Sequence, residues 1–393
     1  MTLLERAGAL AEELTEIRRD IHANPELSFQ ERRTAGLVAE RLRRLGYAVR
    51  TDVGITGVIG ELKSGEGPTV ALRADMDALP IQESNEVPYR SRNDGVMHAC
   101  GHDAHVTCLL GAARLLAEAA RAGDLPTGRV RLLFQPSEET TDTENVGGAR
   151  RMIEAGAMEG VDVVVGLHVA AEAPAGLVLF REGPLMAGND TVRGLVRGAN
   201  AHAALPHEGK DAIVLAAQVI LSAQTIVARS VDPLQPAVLT FGRIEGGTAE
   251  NILAGEVRLE GTLRYFDDDV RAALHEGLRR AFAVADAMGG ESRIEIREGN
   301  PPVTNDARLV GLVREAASQM LEAGSVTTAE QIMGAEDFAF LAREAPGCFF
   351  WLGARIDGDP RSHHSPRFDI DESCLPRGAA VLAAAARSAL AEW

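Results

Sequence analysis

The spacing of apolar residues predicts helices at the start of the chain and then an alternation of strands and helices. Apolar side chains recur at helical intervals from Leu3 to Ile21, and ERRTAGLVAERLRRLG repeats that spacing before a glycine, so two opening helices are expected. The alternation that follows runs through TVALRADMD, a helix from about 104 to 122, RVRLLFQP, a helix near 148–157 and VDVVVGLHV. It predicts an α/β fold with a mixed, mostly parallel sheet and helices on both faces.

The pattern changes near Leu185. The segments DTVRGLVRG, a long helix from Asp211, PAVLTFGRIEGG, EVRLEGTLRYF, another helix and SRIEIREG indicate a compact β-α-β-β-α-β unit. After Asn300-Pro301-Pro302 the earlier alternation resumes with a helix, the strand-like GCFFWLG and a final alanine-rich helix. We therefore predict an α/β domain built from residues 1–184 and 300–393, with a smaller α+β domain, residues 185–299, inserted into it.

Composition narrows the class of protein. The 393 residues are 46% hydrophobic and 25% charged, which is typical of a globular chain long enough for two domains. The formal net charge of −17 argues against nucleic acid and anionic membrane surfaces as partners. Charges every few positions near the start and four scattered cysteines favour a cytoplasmic protein. The uncharged run 212–228 contains polar residues and is expected to be a buried helix rather than a membrane span.

The segment MHACGHDAH at residues 97–105 is the densest cluster of reactive side chains. It holds one thiol, three imidazoles and a carboxylate at the predicted start of a helix. Cys100 and His102 supply a soft thiolate and an imidazole two positions apart, which suits Zn²⁺, Co²⁺ or Ni²⁺. A single cysteine or histidine is more often structural, so the prediction of a metal site depends on the whole cluster.

Other polar groups follow predicted strands. Glu138 and Glu139 come directly after RVRLLF, His168 ends VDVVVGLH, and Asp75 ends a strand in RADMD. Open α/β sheets place their ligand sites at such strand ends. One glutamate of the pair is suited to bind metal and the other to take a proton from metal-bound water, although a solvated acidic loop also explains two adjacent carboxylates.

Two further histidine groups lie outside these strands. His363 and His364 sit in a polar turn before the last helix, where they could close the site from the opposite side. His202 and His207 lie in a loop of the inserted domain, for which surface histidines are the simpler explanation.

The motifs together resemble one known family. The chain is similar, nearly end to end, to the dinuclear metallo-aminoacylases and carboxypeptidases, in particular to the hippurate hydrolase and indole-acetyl-amino-acid hydrolase branch. The likeness rests on motifs in the family's order: NPELSFQE, RADMDALPIQE, HACGHDAH, FQPSEE, GLHV, AHAALPHEGKD, GGTAENI, GTLR, GAEDFAFL and HHSPRFDID. It implies a zinc-peptidase-like catalytic domain and an inserted domain that serves as a lid and forms dimers.

The resemblance also implies roles for individual residues. Two divalent ions, with Zn, Mn, Co and Ni all open, would be held by five ligands, of which Cys100 is a candidate to be shared by both ions: Cys100, His102, Glu139, His168 and His364. Glu138 would be the general base, and Asp75 would orient an imidazole ligand. His202 would reach a neighbouring subunit's site to stabilise the oxyanion, and Asn251 and Arg264 would hold substrate oxygens.

Three positions depart from the family pattern. The segment after Glu139 is longer than usual, Ala254-Gly255 replaces a proline and an acidic residue, and Asn24 stands where histidine is common. None of them removes a proposed ligand or the base. The first two are expected to reshape the substrate pocket.

The predicted reaction is hydrolysis of the amide bond of an N-acyl amino acid. In this hypothesis two ions lower the pKa of a bridging water, Glu138 takes its proton, and the hydroxide attacks the carbonyl. The alternatives are a metallocarboxypeptidase acting on dipeptides or short peptides, a cysteine hydrolase built on Cys100, and an inactive binding protein. The expected partners are a small N-acyl amino acid or peptide substrate and further copies of the chain, as a homodimer or a dimer-based homo-oligomer.

Overall fold

The computed structural model describes residues 1–359 and 361–393, which form helices and strands along the whole chain. The helices are α1 (Leu3–Gly8), α2 (Ala11–His22), α3 (Arg32–Leu45), α4 (His102–Ala122), α5 (Gly148–Glu154), α6 (Ala212–Arg229), α7 (Asp268–Ala287), α8 (Ala307–Met320), α9 (Phe338–Glu344) and α10 (Leu375–Glu392). The strands are β1 (Ala48–Val53), β2 (Gly57–Lys63), β3 (Thr69–Asp75), β4 (Arg129–Gln135), β5 (Val163–Pro174), β6 (Val178–Phe180), β7 (Gly183–Met186), β8 (Gly188–Arg197), β9 (Ala237–Gly246), β10 (Glu256–Tyr265), β11 (Glu291–Glu298), β12 (Val303–Asn305), β13 (Val326–Thr328) and β14 (Gly347–Arg355).

These elements form two compact units. The larger unit comprises residues 1–185, 304–330 and 337–393, and the smaller unit comprises residues 186–303 and 331–336. Each has its own cluster of buried apolar side chains. The chain therefore leaves the larger unit after β6 and returns to it before α8.

An eight-stranded mixed sheet runs through the larger unit in the order β1-β2-β4-β3-β5-β14-β6-β13. Strands β4, β3, β5 and β14 are parallel neighbours, while β1 and β2 pair antiparallel at one side. The mixed, mostly parallel sheet predicted from the sequence is confirmed. Because four central strands are parallel, their carboxyl ends meet at one edge of the sheet.

Helices cover both faces of this sheet because side chains along a strand alternate between faces. Val163, Val165, Leu167 and Val169 of β5 belong to one buried cluster with residues of α4 and α10. On the other face, a side chain at Gly166 would meet Phe338 of α9. Apolar burial on both faces explains why these strands are nearly continuous hydrophobic runs.

The smaller unit is an antiparallel sheet with two helices. Its strands follow the order β11-β8-β10-β9, and residues of α6 and α7 share its buried cluster with the sheet. Asp211 and Asp267 begin the two helices by accepting backbone N–H groups of the first turn.

Two parts of the larger unit differ from the sequence-based expectation. Three helices rather than two open the chain, because α1 ends at Gly8 and α2 begins at Ala11. Strands β1 and β2 were not predicted. Most of β1 is exposed or half-buried, so its sequence AVRTDV lacks the apolar run that marked the central strands.

Candidate metal centre

Two strand ends of the larger unit and a residue within a third strand bring the predicted site residues together. Asp75 is the last residue of β3, and β4 ends at Gln135, just before the segment that contains Glu138 and Glu139. His168 lies on β5, which pairs in parallel with β3. The shared strand direction thus places carboxylates and an imidazole at the same edge of the sheet.

Cys100 and His102 reach this edge through a tight turn at the start of α4. Gly101 between them has a φ of +94° and precedes the first helical residue. A Cβ at this position would lie 2.3 Å from Cγ2 of Val169, so both the backbone conformation and the packing require glycine. The turn places Sγ of Cys100 at 3.5 Å from Nε2 of His168.

The predicted ligands form two groups that share Cys100. Cys100, His102 and His168 form one group, and Cys100, Glu139 and His364 form the other; within each group, the candidate ligand atoms lie within 4.8 Å of one another. Nε2 of His364 lies 3.2 Å from Oε1 of Glu139, and Nε2 of His102 lies 4.0 Å from the same oxygen. Two adjacent three-residue sets with a common thiolate have the composition of a two-metal site.

Hydrogen bonds hold the Nδ1 nitrogens of two of the predicted imidazole ligands. Nδ1 of His102 faces the backbone oxygen of Asp77 at 2.9 Å and its Oδ1 at 3.2 Å. Nδ1 of His168 faces the backbone oxygen of Val169 at 2.7 Å. Because these partners only accept, each Nδ1 carries a proton, and in the neutral ring Nε2 is then the nitrogen with the lone pair. Nε2 of His102 is buried without a hydrogen-bond partner among the described residues, and Oε1 of Glu139 is buried beside Nε2 of His364.

The donor set therefore fits divalent metal ions. Imidazoles whose second nitrogen is held by an acceptor, together with a thiolate and a carboxylate, are usual ligands of such ions. Burial, and then the nearby Glu139 carboxylate, raises the pKa of the Cys100 thiol well above its ordinary value. Burial opposes protonation of His102, but Asp75, Cys100 and Asp77 outweigh it and raise the pKa of His102 well above its ordinary value. Cations are suited to replace these protons.

Asp77 is a site residue that the sequence-based reasoning missed. Its Oδ1 accepts the backbone N–H of Glu138 at 3.0 Å, and its Oδ2 accepts that of Glu139 at 3.1 Å. Because it also contacts His102, the Asp77 carboxylate holds the predicted base Glu138 and two predicted ligands, Glu139 and His102. Burial alone would raise the pKa of Asp77, but hydrogen bonds from His102, Ser28 and Glu138 hold it below its ordinary value. The sequence did contain a signal for Asp77, since it lies just beyond the end of β3, two positions after Asp75.

Asp75 contacts the imidazole of His105, which is not one of the predicted metal ligands. Its Oδ1 is 2.6 Å from Nδ1 of His105, and its Oδ2 accepts from the guanidinium of Arg73 at 2.6 Å. Nε2 of His105 accepts the backbone N–H of Val169, next to His168. Through His105, Asp75 is thus linked to the backbone of Val169 beside His168, and its Oδ2 lies 3.7 Å from Nε2 of His102. The predicted role of Asp75 in orienting a ligand stays a prediction.

The longer segment after Glu139 forms a loop that is held by hydrogen bonds between its own residues. Asp142 accepts the backbone N–H groups of Glu144 and Val146, and its carboxylate pairs with Arg151 of α5. The extra residues are therefore anchored to the helix that follows.

The other predicted residues lie in the smaller unit. His202 and Asn251 are exposed, and their loops run side by side, since Ala203 donates its backbone N–H to the backbone oxygen of Asn251. Nδ1 of His202 accepts the N–H of Ala204 at 3.1 Å. Arg264 is half-buried on β10 and has no ion pair among the described residues, and burial lowers its pKa.

Comparison with known proteins identifies the family. Residues 71–388 match the model of peptidase family M20/M25/M40. The chain belongs to this family. Thermostable carboxypeptidase 2 of Saccharolobus solfataricus is 41% identical, covering 93% of this chain and 92% of its own. N-acetyl-L-cysteine deacetylase of Bacillus subtilis is also 41% identical, covering 98% and 89%. A crystal structure of a dinuclear metal-binding M20 peptidase from Bacillus subtilis superposes with a TM-score of 0.85 at 34% identity, covering 98% and 100%.

These relatives confirm the family and the reaction class predicted from the motifs. This M20 protein is a metal-dependent hydrolase of N-acyl amino acids or peptides. Among the described residues, α6 is long and apolar enough to cross a membrane, and a third of its residues are buried. The helix expected to be buried is instead two-sided, since Leu215, Ala216 and Val219 lie in the core while Ile213, Val214 and Leu221 are exposed.

Proposed function

We propose that this M20 enzyme hydrolyses the amide bond of an N-acyl amino acid with two divalent ions held by Cys100, His102, Glu139, His168 and His364. The observation that carries the proposal is the pair of three-residue ligand groups sharing the Cys100 thiolate. When bound, the ions would polarise the scissile carbonyl and activate a water molecule. The thiolate and imidazoles favour Zn²⁺, Co²⁺ or Ni²⁺, while the carboxylate also suits Mn²⁺.

Glu138 is the proposed general base. One of its carboxylate oxygens lies within 4.8 Å of the ligand atoms of His102 and Glu139, so it borders the metal positions. Its side chain is half-buried, and its Oε1 accepts the backbone N–H of Asp337 at 3.4 Å. The carboxylate takes a proton from the attacking water and gives it to the amine nitrogen as the C–N bond breaks.

His202 is the proposed oxyanion donor. Because its Nδ1 accepts the N–H of Ala204, the neutral ring carries its proton on Nε2, which then can donate to a negatively charged carbonyl oxygen. In line with the family resemblance, His202 acts in a neighbouring subunit's site.

Arg264 and Asn251 are the proposed substrate contacts. A half-buried guanidinium without an ion pair among the described residues is suited to bind the substrate carboxylate through two parallel hydrogen bonds. The exposed Asn251 side chain lies on the loop next to His202, where it can hold a carbonyl oxygen.

We further propose a homodimer or dimer-based oligomer formed through the smaller unit. Ile213, Val214 and Leu221 of α6 are 49%, 49% and 63% exposed, and large apolar side chains left exposed on one helix support an interface at this helix. The four cysteines are all free, which supports the proposed cytoplasmic location.

A substrate panel tests the function. We expect metal-loaded protein to release free amino acid from N-acetyl, N-benzoyl or indole-acetyl amino acids, and chelated protein to release none. Glu138→Gln should lose activity with its metals still bound, whereas Glu66→Gln, a change to an exposed carboxylate between β2 and β3, should not. Turnover by metal-loaded Glu138→Gln at the wild-type rate would contradict the assignment of the base.

The carboxypeptidase relative supports a second candidate, hydrolysis of dipeptides or short peptides. The chemistry is the same, and the panel distinguishes the two by whether dipeptides or N-acyl amino acids give the higher kcat/KM.

A further inference from the structure

The segment NPELSFQE, residues 24–31, supplies no predicted ligand or base, yet its last residue is fully buried beside the site. Glu31 is 0% exposed and precedes α3. A carboxylate without solvent is costly unless it accepts several hydrogen bonds. Its contacts therefore indicate what it is for.

Glu31 accepts hydrogen bonds from three different segments. Its Oε1 accepts the backbone N–H groups of Phe29 and Ser137, both at 2.9 Å, and its Oε2 accepts the hydroxyl of Thr56 at 2.5 Å. The contact to Ser137 reaches the residue immediately before the proposed base.

Ser137 has an unusual backbone conformation. Its φ is +46°, in the left-handed region that a non-glycine residue enters only at an energetic cost. The conformation forms part of a turn in which three successive N–H groups point to carboxylates: that of Ser137 to Glu31, and those of Glu138 and Glu139 to Asp77. Concave runs of backbone N–H groups of this kind bind anions.

The buried carboxylates of Glu31 and Asp77 thus hold the backbone of the turn, and Glu138 and Glu139 are residues of that turn. Removal of the Glu31 acceptor would leave the N–H of Ser137 buried and unpaired, which is unfavourable. This cost adds to the strain at Ser137, so the turn would gain by relaxing. Any relaxation moves the side chains of Glu138 and Glu139.

We infer that Glu31 is a positioning residue for hydrolysis, holding the turn at Ser137 so that Glu138 and Glu139 face the metal positions. The inference rests on the proposed roles of those two glutamates. Ser28, in the same segment, supports the other half of the turn by donating its hydroxyl to Oδ2 of Asp77 at 2.7 Å.

Three variants of Glu31 separate geometry from charge and from general stability. Glu31→Gln keeps an oxygen for Ser137 and turns its amide towards Thr56, whose hydroxyl can accept. Glu31→Asp keeps the charge but withdraws the oxygens by one methylene, and Glu31→Ala removes the acceptor. Glu26→Ala is the matched control, since Glu26 lies in the same segment and accepts two backbone N–H groups, of Arg33 and Thr34, away from the turn.

We expect Glu31→Ala to lower kcat by about 10–100-fold with little change in KM, because misplaced catalytic groups affect the reacting state more than substrate binding. Its affinity for Co²⁺ or Zn²⁺, measured by competition with a chromophoric chelator, should fall by about tenfold because Glu139 moves too. Glu31→Gln should have a kcat and a metal affinity close to those of the wild type, and both should be higher than those of Glu31→Asp. Glu26→Ala should lose stability but keep kcat.

Other results would overturn the inference. It fails if Glu31→Ala, corrected for folded fraction, keeps wild-type kcat and metal affinity, or if Glu31→Asp is more active than Glu31→Gln. Should Glu31→Ala fail to fold, the order of Glu31→Gln and Glu31→Asp decides alone. Glu138→Gln, assayed on the same substrate, distinguishes the two levels: if it is active, the proposed function fails, and if it is inactive while Glu31→Ala is normal, only this inference fails.

Discussion

Replacement of Asp77 by asparagine tests how strongly one carboxylate organises the metal centre. Four groups donate to Asp77. His102 and the N–H of Glu138 contact Oδ1, while Ser28 and the N–H of Glu139 contact Oδ2. Asparagine has nearly the same shape but replaces one acceptor oxygen with an NH₂ donor. In either orientation of the amide, a backbone N–H of the turn faces another N–H.

The expected cost follows from this count. The hydroxyl of Ser28 can rotate and accept from the new NH₂ group, but a backbone N–H cannot. At least one hydrogen bond from a backbone N–H to a charged acceptor is therefore lost. Hydrogen bonds to charged groups contribute about 1.5–3 kcal/mol. If the loss falls on the metal-binding geometry, it corresponds to an affinity about 10–100-fold weaker, the range typical of groups that hold metal ligands.

The measurement is competition for Zn²⁺ or Co²⁺ with a chromophoric chelator, supported by the visible absorption of the Co²⁺ form. Asp162→Asn is the matched control, since Asp162 also accepts a buried-strand N–H, that of Thr69 at 2.8 Å, at the opposite end of β3. Its metal affinity should equal that of the wild type. Wild-type affinity and an unchanged Co²⁺ spectrum in Asp77→Asn would refute the reasoning.

Three further outcomes are expected. Cys100→Ser should reduce bound metal from two ions per chain towards one or none, measured by elemental analysis, because a hydroxyl is a poor substitute for the shared thiolate; two tightly bound ions would contradict sharing. Gly101→Ala should destabilise the fold, seen as a lower thermal midpoint, because a Cβ would lie 2.3 Å from Val169. In chelated protein, burial and Asp77 raise the pKa of Glu31 from 4.5 to about 7. Because the folded state then binds the proton more tightly, the carboxyl's contribution to stability is lost as pH rises through this interval. Glu31→Gln should therefore gain stability relative to the wild type between pH 5 and pH 8 in urea unfolding, and a constant difference would contradict the pKa shift.

The sequence predicted the fold class because the central strands are buried on both faces. Continuous apolar runs such as those of β4 and β5 are unambiguous, and the polar residues beyond them point to one edge of the sheet. Strand β1 escaped prediction because its residues are mostly exposed or half-buried and its sequence is mixed. Strand β2 was missed for another reason, since its buried residues Gly57–Gly60 include two glycines and only two apolar side chains, Val58 and Ile59.

The site could be predicted only as far as side-chain chemistry identifies it. Thiol, imidazole and paired carboxylates identify themselves as ligand types, whereas Asp75 and Asp77 have identical chemistry two positions apart. Which of them contacts Nδ1 of His102 and the turn at Ser137 depends on the path of the chain after β3, a tertiary feature. Glu31 is more distant still, since its partner Ser137 lies more than a hundred positions along the chain. Periodicity carries no information about such contacts.

The electrostatics of the larger unit link these residues to metal binding. Cys100, Glu139, Asp75 and Asp77 place several acidic groups in a buried region, and the raised pKa values of Cys100 and His102 mean that protons offset this charge when no cation is present. Divalent ions would compete for the same atoms, so we expect metal binding to release protons and to stabilise the fold together. Asp77 and Glu31, which accept backbone N–H groups, are the acidic groups that keep the turn in place in either state. On this view the acidic residues around the site divide into those that bind cations and those that hold the backbone.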